Sequence, residues 1–480
     1  MVRHRREPGS LGLDVLRKRY PDAKDPLKAW LPDRPPFRQG LPELEKLESE
    51  LEAVQKRRGK VVLYCHDDMD GIAGLFVGLR ILGAEGFLTS HIIPNRGKDD
   101  YGLLPERMEG VVESGDLLLT VDFGCSAVEG VEWAKGRGAR VVVTDHHTLN
   151  PPLPKPHAMI DPQAVGGPAT ELAGCGVIYA ALTELFPRWQ RDPMIIAAVA
   201  LGTISDRVPI YSWNRHMLGL FDGLRINSLP AGMRVILGSW PRKDGSWTAQ
   251  QVRQQVTSTI GKGTDSGIDE MIDFMTSDDV RLCAAAWKTM QERSEHRAQL
   301  LSEIVSRAML EKDPQADAMG LTLVYLGEVQ PGMGGSVASK LCSIYGRGAI
   351  VVARRSDGAI VGEARSMGDW DMAAFLVGMR EHFTSAGGHV RAAGFSAEVG
   401  TWPKIHELML TRMATFPTRK VPPPHVDLRL RELPDPSELE CLSPFGPGFP
   451  PPAVKMGKQR YLMQYGSGST FWAISDESGE

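Results

Sequence analysis

The stretch Val61-Val62-Leu63-Tyr64, followed directly by His66-Asp67-Asp68-Met69-Asp70-Gly71 after one cysteine, joins a short apolar run to a cluster of acidic residues. A β-branched run of this length is typical of a strand buried in a parallel sheet. Gly71 permits a turn into a helix, which the sequence predicts over 71–83. The stretch therefore predicts a buried strand that places a histidine and several carboxylates at its carboxyl end.

Three further acidic motifs follow in the chain, two of them again after a β-branched run. In open α/β sheets, ligand-binding and catalytic groups gather at the carboxyl ends of the strands. We therefore expect side chains far apart in sequence to meet in one crevice. The motifs are Asp122-Phe123-Gly124, after 117–121; Asp145-His146-His147, after 141–144; and Asp206, which closes the run from 198.

The bulk composition is that of an ordinary soluble globular protein. Hydrophobic residues make up 42% of the chain and charged residues 24%. Its 480 residues are more than one hydrophobic core usually supports, which predicts two or three domains. The formal net charge of −4 does not indicate a nucleic-acid-binding protein, so any phosphate-binding surface must be local.

Cysteine usage and hydropathy predict a cytoplasmic protein. Six scattered cysteines form no CxxC pair, which argues against a disulfide framework or a zinc knuckle and fits a reducing cytosol. No apolar stretch approaches the ~20 residues of a membrane span. The N-terminus MVRHRREPGS is basic but has no apolar core, so a secretion signal is not expected.

The order of predicted elements gives an α/β fold with two α/β domains. Strand-like and helix-like segments alternate from 59 to about 210, as in a parallel sheet, and a smaller α/β pattern starts again near 320. We expect the domains to be joined by a long helix around a cleft, with a glycine-rich turn at 386–394 and a short C-terminal β appendage. The predicted boundaries are 1–58, an irregular and helical extension; 59–277, the first domain; 278–312, the connector helix; 313–414, the second domain; and 415–480, a linker and truncated β module.

The residue types of the first cluster suit a two-metal phosphoesterase. Two divalent ions about 3.5–4 Å apart can activate water, neutralise the phosphate and assist the leaving oxygen. Oxygen and imidazole ligands suit Mn²⁺, with Mg²⁺ as the alternative. His66, Asp68 and Asp70 alternate, so an extended backbone would point all three the same way. Taken singly, an aspartate at a strand end is more often a helix cap, and it is the joint occurrence that favours the metal site.

These motifs resemble the DHH phosphoesterase superfamily, and further strings resemble its RecJ-like single-strand exonucleases. The resemblance covers about 60 to 450, in family order. The four motifs are HDDMDG, VDFG, TDHH and GTISD, and the further strings are PNRGKDDYGL (94–103), LAGCGVIY (172–179), GEARS (362–366), GGHVRAAGF (387–395) and SPFGPGFPPP (443–452).

The resemblance implies roles for the residues of the first domain. Asp122 would bridge two Mn²⁺ ions, and His147 would contact the scissile phosphate. Asp145 would orient a histidine, and metal-activated water would be the nucleophile. The implied metal ligands are His66, Asp68, Asp70, Asp122, His146 and Asp206.

The second domain resembles the DHHA1 domain, which implies that it binds phosphate. His389 and Arg365 would bind the phosphate, because the arginine fork can bond it in two places. Ser336, Gly387 and Gly388 offer close backbone approach. Arg96 would grip the phosphate of the strand, although a surface salt bridge is its default interpretation.

Three departures from the family pattern qualify these expectations. The chain has His66 where bacterial RecJ proteins usually have aspartate, and Phe449 where the family has asparagine. It also stops about 30 residues after the Pro-Phe-Gly turn, so we expect a truncated OB-like module and not the complete barrel used for strand capture.

Three functions remain open from the sequence. The leading one is a Mn²⁺-dependent exonuclease on single-stranded DNA, acting 5′→3′ to release 5′-mononucleotides in DNA repair and recombination, with RNA as the alternative strand. The second is a small-nucleotide phosphodiesterase acting on oligoribonucleotides, 3′-phosphoadenosine 5′-phosphate or cyclic dinucleotides. The third is a non-catalytic replication scaffold. Partnership with replication or single-strand-binding proteins is compatible with an active enzyme.

Overall fold

The computed structural model forms two compact units, Met1–Ser294 with His425–Glu480, and Glu295–Pro424. Among the described residues, every helix is too short or too polar to cross a membrane. The structure describes residues 8–33, 35–94, 102–149, 151–222, 224–239, 252–257, 259–260, 270–329, 332–418, 426–457, 459–464 and 470–474.

The first unit is built on a five-stranded parallel sheet in the order β2-β1-β3-β4-β5. The register pairs Cys65 with Val121, Val121 with Thr144, and Thr144 with Ile160, so four strands end in one row. The next residue of each strand therefore emerges at the same edge of the sheet. The strands are β1 Lys60–Cys65, β2 Leu88–Ile92, β3 Leu117–Val121, β4 Arg140–Thr144 and β5 Ala158–Ile160.

Helices cover both faces of this sheet, because successive strand residues point to opposite sides. Leu117, Leu119 and Val121 join one core with the helices at 69–84, 174–185 and 193–205, whereas Leu118 joins a second core with the helix at 128–136. The helices of the first unit are α1 Ser10–Arg19, α2 Pro26–Trp30, α3 Phe37–Gly40, α4 Leu44–Arg57, α5 Met69–Ala84, α6 Pro105–Met108, α7 Val128–Gly136, α8 Gly174–Leu185, α9 Pro193–Ser205, α10 Ser212–Asp222, α11 Ala231–Gly238 and α12 Glu270–Thr276.

The long helix α13, Val280–Leu310, begins in the first unit and ends in the second. Its first backbone N–H groups, at Arg281 and Leu282, donate to the Asp279 carboxylate, which caps the helix. The helix covers most of 278–312, where the sequence predicts a connector.

The second unit has a mixed sheet in the order β6-β7-β8-β10-β9, with β6 and β7 parallel and the other pairs antiparallel. Ile350 and Val352 face one core of this unit and Val351 faces another. Its elements are α14 Pro314–Ala318, β6 Thr322–Glu328, α15 Gly334–Tyr345, β7 Ala349–Arg354, β8 Ile360–Arg365, α16 Met372–Val377, β9 Ser385–His389, β10 Ala392–Ala397 and α17 Trp402–Met413.

The prediction of a glycine-rich turn at 386–394 is wrong, because most of this segment is a pair of strands. Gly387 pairs with Gly394, and Gly388 pairs with Ala393. Gly388 has a φ of 136°, and a Cβ there would lie 2.4 Å from the Ala392 oxygen. Glycine thus allows two strands to approach closely, and only residues 390–391 form the turn.

The C-terminal residues form a small sheet in the order β11-β12-β13-β14 and pack with the N-terminal helices. Val15, Leu16 and Trp30 share a core with Phe445 and Phe449. Residues 10–19 and 26–30 of the N-terminal extension are therefore helical, because this core buries their apolar side chains. The C-terminal elements are β11 Leu428–Arg429, α18 Ser437–Glu440, β12 Ala453–Met456, β13 Gln459–Gln464 and β14 Thr470–Ile474.

Candidate metal centre

The acidic and imidazole side chains predicted from the four motifs lie together at the carboxyl edge of the parallel sheet. They form three overlapping groups of three residues. Within each group, the possible ligand atoms lie within 4.8 Å of one another. The groups are His66, Asp68 and Asp122; Asp70, His146 and Asp206; and Asp122, His146 and His147.

Asp122 lies between the first two groups and directs one carboxylate oxygen towards each. Its Oδ2 is 3.5 Å from Nδ1 of His66, and its Oδ1 is 3.2 Å from Nε2 of His146. The residue is only 2% exposed, and its backbone has a φ of 64°, a conformation that aspartate tolerates better than most residues. A carboxylate in this position can bridge two cations.

Asp68 belongs to the first group because it is a helix N-cap, and not because it lies in an extended segment with His66 and Asp70 as predicted. Helix α5 begins at Met69, and Asp68 is its N-cap, accepting hydrogen bonds from the backbone N–H groups of Asp70 and Gly71 at 3.0 and 3.1 Å. The prediction of an extended backbone through 66–70 is therefore wrong. One Asp68 oxygen caps the helix while the other lies 3.0 Å from Nδ1 of His66, so the residue serves as cap and candidate ligand at once.

Asp70 is held by the first turn of helix α8. Its Oδ2 accepts a hydrogen bond from the Gly174 N–H at 2.7 Å, and its Oδ1 accepts one from the Cys175 N–H at 3.0 Å. The amino-terminal end of a helix favours a negative charge. Asp70 is therefore fixed with its carboxylate 4.0 Å from Nε2 of His146.

Asp206 enters the second group from the carboxyl end of helix α9, 3.6 Å from Nε2 of His146. The absence of a side chain at Gly202 lets α9 approach α5 and α8 closely. A Cβ there would lie 2.6 Å from the Cys175 sulphur and 2.9 Å from the Ala73 Cβ. The small residues of the run before Asp206 thus set the depth at which this carboxylate lies.

Asp145 belongs to none of these three groups but to a fourth, buried one with Cys125 and Asp161, and it orients the histidines beside it. Its Oδ1 is 2.7 Å from Nδ1 of His147 and accepts the backbone N–H groups of His146 and His147, while its Oδ2 accepts the Cys125 N–H. The His147 side chain is 46% exposed. This arrangement leaves the Nε2 edge of His147 available to a substrate.

Charge in the cluster is unbalanced without cations. Burial and the neighbouring Asp70 raise the pKa of Asp122 well above its usual value, and the same two causes raise the pKa of Asp206 to about 8. Burial opposes protonation of His66, but hydrogen bonds with Asp122 and Asp68 outweigh it and raise its pKa to about 11. The cluster therefore retains protons, which divalent cations would displace.

A second observation indicates that these residues suit divalent cations. Nε2 of His146 is fully buried and makes no hydrogen bond within the described part of the chain, although carboxylate oxygens of three aspartates lie within 4.0 Å. Oxygen atoms together with imidazole nitrogen suit Mn²⁺. A buried nitrogen facing several carboxylates without hydrogen bonds is the arrangement expected around a metal ion.

Sequence reasoning missed two acidic residues at this edge of the sheet. Asp161 follows strand β5 and lies within 4.8 Å of Asp145 and Cys125, but β5 has only three residues and was too short to recognise. Asp67 was passed over because its neighbours alternate without it, yet its Oδ1 lies 3.5 Å from Nε2 of His66.

The predicted phosphate-binding residues of the second unit lie on neighbouring strands. Ala392 pairs with His389 on one side and with Arg365 on the other, so these two side chains project from the same face of the sheet. A Cβ on Gly335, beside Ser336 in the first turn of α15, would lie 2.5 Å from Nη2 of Arg365. The Arg365 guanidinium thus lies beside the first turn of α15, and its Nη1 donates to Oε2 of Glu363 at 3.1 Å.

The remaining residues predicted to bind phosphate are Gly387, Gly388 and Arg96. Gly387 and Gly388 lie on β9, two residues and one residue before His389, and both pair with β10 as described above. Arg96 lies outside the described residues.

Comparison with known proteins agrees with this geometry. The DHH family, N-terminal domain, matches residues 60–203, and the DHHA1 domain matches residues 319–414. The "Single-stranded-DNA-specific exonuclease RecJ" of Thermus thermophilus is 29% identical over 429 residues, covering 85% of this chain and 62% of the relative. The protein of the same name from Bacillus subtilis is 28% identical over 408 residues, covering 82% of this chain and 51% of the relative. The chain thus spans between half and two thirds of the length of these relatives.

Solved structures agree on the fold. The crystal structure of RecJ in complex with Mn²⁺ from Thermus thermophilus superposes with a TM-score of 0.76 at 23% identity, covering 98% of this chain and 71% of that one. The structure of exonuclease RecJ bound to manganese gives a TM-score of 0.67 at 26% identity, covering 80% of this chain and 97% of that one. With both domain models matched in order and the motif residues gathered at one sheet edge, the chain has a DHH domain followed by a DHHA1 domain and is similar to the RecJ proteins over most of its length.

Proposed function

We propose that this protein is a metal-dependent exonuclease that hydrolyses single-stranded DNA, in the 5′→3′ direction, to 5′-mononucleotides. The observation that carries the proposal is the Asp122 carboxylate, which directs one oxygen to His66 and the other to His146. The RecJ relatives support the choice of substrate, and DNA repair and recombination are the processes that need such an activity.

Two Mn²⁺ ions are the proposed cofactors, with Mg²⁺ as the alternative. When bound, the ions would supply an activated water and neutralise the phosphate. His66, Asp68 and Asp122 would hold one ion, and Asp122 would share the other with three further ligands. Those ligands are Asp70, His146 and Asp206.

His147 is the proposed contact to the scissile phosphate. The hydrogen bond with Asp145, rather than burial, decides its protonation and raises the pKa of His147 above its usual value. A protonated Nε2 can donate a hydrogen bond to a phosphate oxygen. Asp145 keeps its negative charge. Burial alone would raise its pKa, but hydrogen bonds from His147 and from the Cys125 N–H outweigh burial and lower the pKa.

The second domain is proposed to bind the phosphate backbone of the strand. Arg365 would act through its guanidinium, His389 through its imidazole, and Ser336, Gly387 and Gly388 through close backbone approach, with Arg96 of the first domain as a further contact. In Arg365→Gln we expect a higher KM for a DNA strand with kcat nearly unchanged. Arg354→Gln, which removes an exposed arginine paired with Glu328, is the matched control.

A cytoplasmic location is also part of the proposal. None of the six cysteines forms a disulfide, and five of them are buried. Cysteines without disulfides are usual in a reducing compartment. Association with replication or single-strand-binding proteins stays a prediction from the family.

The proposal is tested by a time course with Mn²⁺ on a single-stranded 30-mer labelled at either its 5′ or its 3′ end. We expect immediate release of a 5′-labelled mononucleotide, with the 3′ label passing slowly down a ladder of shorter strands. A 30-mer with a blocked 5′ end should be spared.

Other outcomes point to defined alternatives. Early release of the 3′ label would keep the nuclease and reverse its direction. Cleavage of dinucleotides but not of the 30-mer would indicate a small-nucleotide phosphodiesterase. Absence of both cleavage and Mn²⁺ binding by calorimetry would indicate a replication scaffold.

A further inference from the structure

Gln163 ties together two chain segments of the first unit through its side-chain amide. Its Nε2 donates one hydrogen bond to the carbonyl oxygen of His146 at 3.1 Å and another to the carbonyl oxygen of Thr170 at 2.9 Å. Both hydrogens of the amide group are therefore used by backbone acceptors. Neither the motifs of the sequence nor the candidate ligand set includes this residue.

Both carbonyl groups belong to segments that carry candidate metal ligands. His146 is itself a candidate ligand, and Thr170 lies in the short 3-10 turn Pro168–Glu171, three residues before helix α8. The first N–H groups of α8 hold Asp70. Gln163 thus links His146 to the segment that fixes Asp70, and these two ligands lie 4.0 Å apart in one group.

Gln163 lies in a short turn at the edge of the sheet. Its backbone N–H donates to Oδ1 of Asp161 at 2.9 Å, which caps the 3-10 turn Pro162–Ala164. Asp161 is fully buried and follows β5, the strand whose last residue pairs with Thr144 of β4. The amide is therefore presented from a capped 3-10 turn that directly follows a strand of the sheet.

We propose that Gln163 is a positioning residue of the metal centre, which sets the separation of His146 and Asp70 by bridging their segments. Without the amide, the two carbonyl groups would lose their donor and the segments would have no shared partner at this point. Outer hydrogen-bond partners of metal ligands typically contribute about 10–100-fold to metal affinity. The inference rests on the proposed metal centre and adds a residue to it.

The test compares Gln163→Glu and Gln163→Leu with the wild-type protein by calorimetric titration with Mn²⁺ alone. Glutamate has nearly the same shape but brings a carboxylate, without donors, against two carbonyl oxygens. We expect about 10–100-fold weaker Mn²⁺ binding in both variants. Gln163→Asn keeps the amide one methylene shorter, so that it cannot span both acceptors, and gives the same test if the leucine variant does not fold.

A control variant and a second readout separate positioning from general stability. Gln190→Leu removes a similar amide bond, from Nε2 to the Thr183 carbonyl at 3.1 Å, away from the candidate ligands, and should bind Mn²⁺ like the wild type. Unfolding midpoints are measured in EDTA. A purely structural role would lower the midpoint of the Gln163 variants and leave the Mn²⁺ affinity of the folded protein unchanged.

The outcomes distinguish this inference from the proposed function. If the wild type binds Mn²⁺ and the folded Gln163 variants bind within twofold of it, the positioning role is rejected and the metal centre stands. If the wild type binds no Mn²⁺, the proposed function fails and the inference fails with it.

Discussion

Gly174 lies so close to Asp122 that a Cβ on the glycine would be 2.4 Å from the Oδ1 atom of the aspartate. The same glycine begins helix α8 and donates its N–H to Oδ2 of Asp70 at 2.7 Å. One residue thus binds one candidate ligand through its backbone and leaves space for another because it has no side chain.

We expect Gly174→Ala to weaken Mn²⁺ binding and nuclease activity by at least about tenfold, the lower end of the cost of losing an outer hydrogen-bond partner of a metal ligand. Helix propensity alone would favour alanine by roughly 1 kcal/mol, so a loss of function and stability would identify the contact with Asp122 as its cause. Mn²⁺ titration and thermal unfolding measure both effects.

The control for this substitution is Gly136→Ala. Gly136 lies at the end of α7, where a Cβ would meet nothing within 4 Å. This variant should match the wild type in Mn²⁺ affinity and be at least as stable. If Gly174→Ala behaved in the same way, the close packing between α8 and Asp122 would have no functional consequence.

Asp122→Asn should separate charge from shape at the centre of the cluster. Burial and the nearby Asp70 raise the pKa of Asp122, which means that its negative charge is unfavourable without cations. Asparagine fits the volume and tolerates the φ of 64°. We therefore expect a higher unfolding midpoint than wild type in EDTA, together with loss of hydrolysis exceeding the ~100-fold cost of an outer partner.

The same variant also tests metal stabilisation. A ligand that binds only the folded state stabilises it in proportion to the logarithm of its concentration. Added Mn²⁺ should raise the unfolding midpoint of the wild type much more than that of Asp122→Asn. Retained Mn²⁺-dependent hydrolysis in the variant would remove Asp122 from the site.

Much of the site could be predicted from sequence because strand ends carry it. A β-branched run such as Val141–Thr144 is recognisable by itself, and the residue after it must emerge at the edge of a parallel sheet. This rule located His66, Asp122 and Asp145, with His146 next to Asp145 in the chain. It failed for Asp161, because a strand of three residues leaves no pattern to recognise.

Other features depended on contacts that no local pattern contains. Arg19 donates to Asp427 at 2.7 Å although the two residues are 408 positions apart, so the helical order of the N-terminal segment was not visible in its proline-rich composition. Asp68 was expected to follow the alternation of its neighbours, but the start of helix α5 one residue later turned it into a cap. In both cases tertiary or capping contacts outweighed the local pattern.

Stability should depend on pH through the pair formed by Glu50 and Arg140. The Glu50 side chain accepts hydrogen bonds from Nε and Nη2 of Arg140, and chiefly because of these bonds its pKa lies below its usual value. A lowered pKa in the folded state means that this stabilisation is fully present above the unfolded-state pKa of about 4.3. It is lost as the pH falls through the lower, folded-state pKa.

We expect Glu50→Gln to lower the free energy of unfolding at pH 7 by about 1 kcal/mol, since the Arg140 side chain is 39% exposed and solvent screens the pair. The difference from wild type should shrink as the pH falls below about 4, where wild-type Glu50 also becomes protonated. Glu52→Gln, in an exposed pair with Lys56, is the control and should change little at either pH. A difference that is constant from pH 7 to pH 3 would contradict the charge-based explanation.

Arg215 should hold the loop after Asp206 against the C-terminal turn. It is fully buried, and its Nη2 donates to the carbonyl oxygens of Ile210 and Pro444, both at 2.9 Å, while its Nη1 donates to that of Leu442 at 3.2 Å. Its guanidinium also lies 4.6 Å from the ring centroid of Phe449. Ile210 is four residues beyond Asp206, so the arginine connects a candidate metal ligand to residues more than 200 positions away.

In Arg215→Met we expect the free energy of unfolding to fall by about 2–4 kcal/mol, because methionine can keep the apolar packing but leaves three buried carbonyl groups without this donor. Arg215→Lys should rescue little, since an ammonium group lacks the planar fork that reaches both segments at once. Chemical denaturation measures the change, with the exposed Arg17→Met as the control. Ile210 also donates its N–H to the Pro447 carbonyl at 2.7 Å, so loosening this turn should also weaken Mn²⁺ binding through Asp206. Unchanged stability in Arg215→Met would show that apolar contacts, and not the arginine, hold the turn.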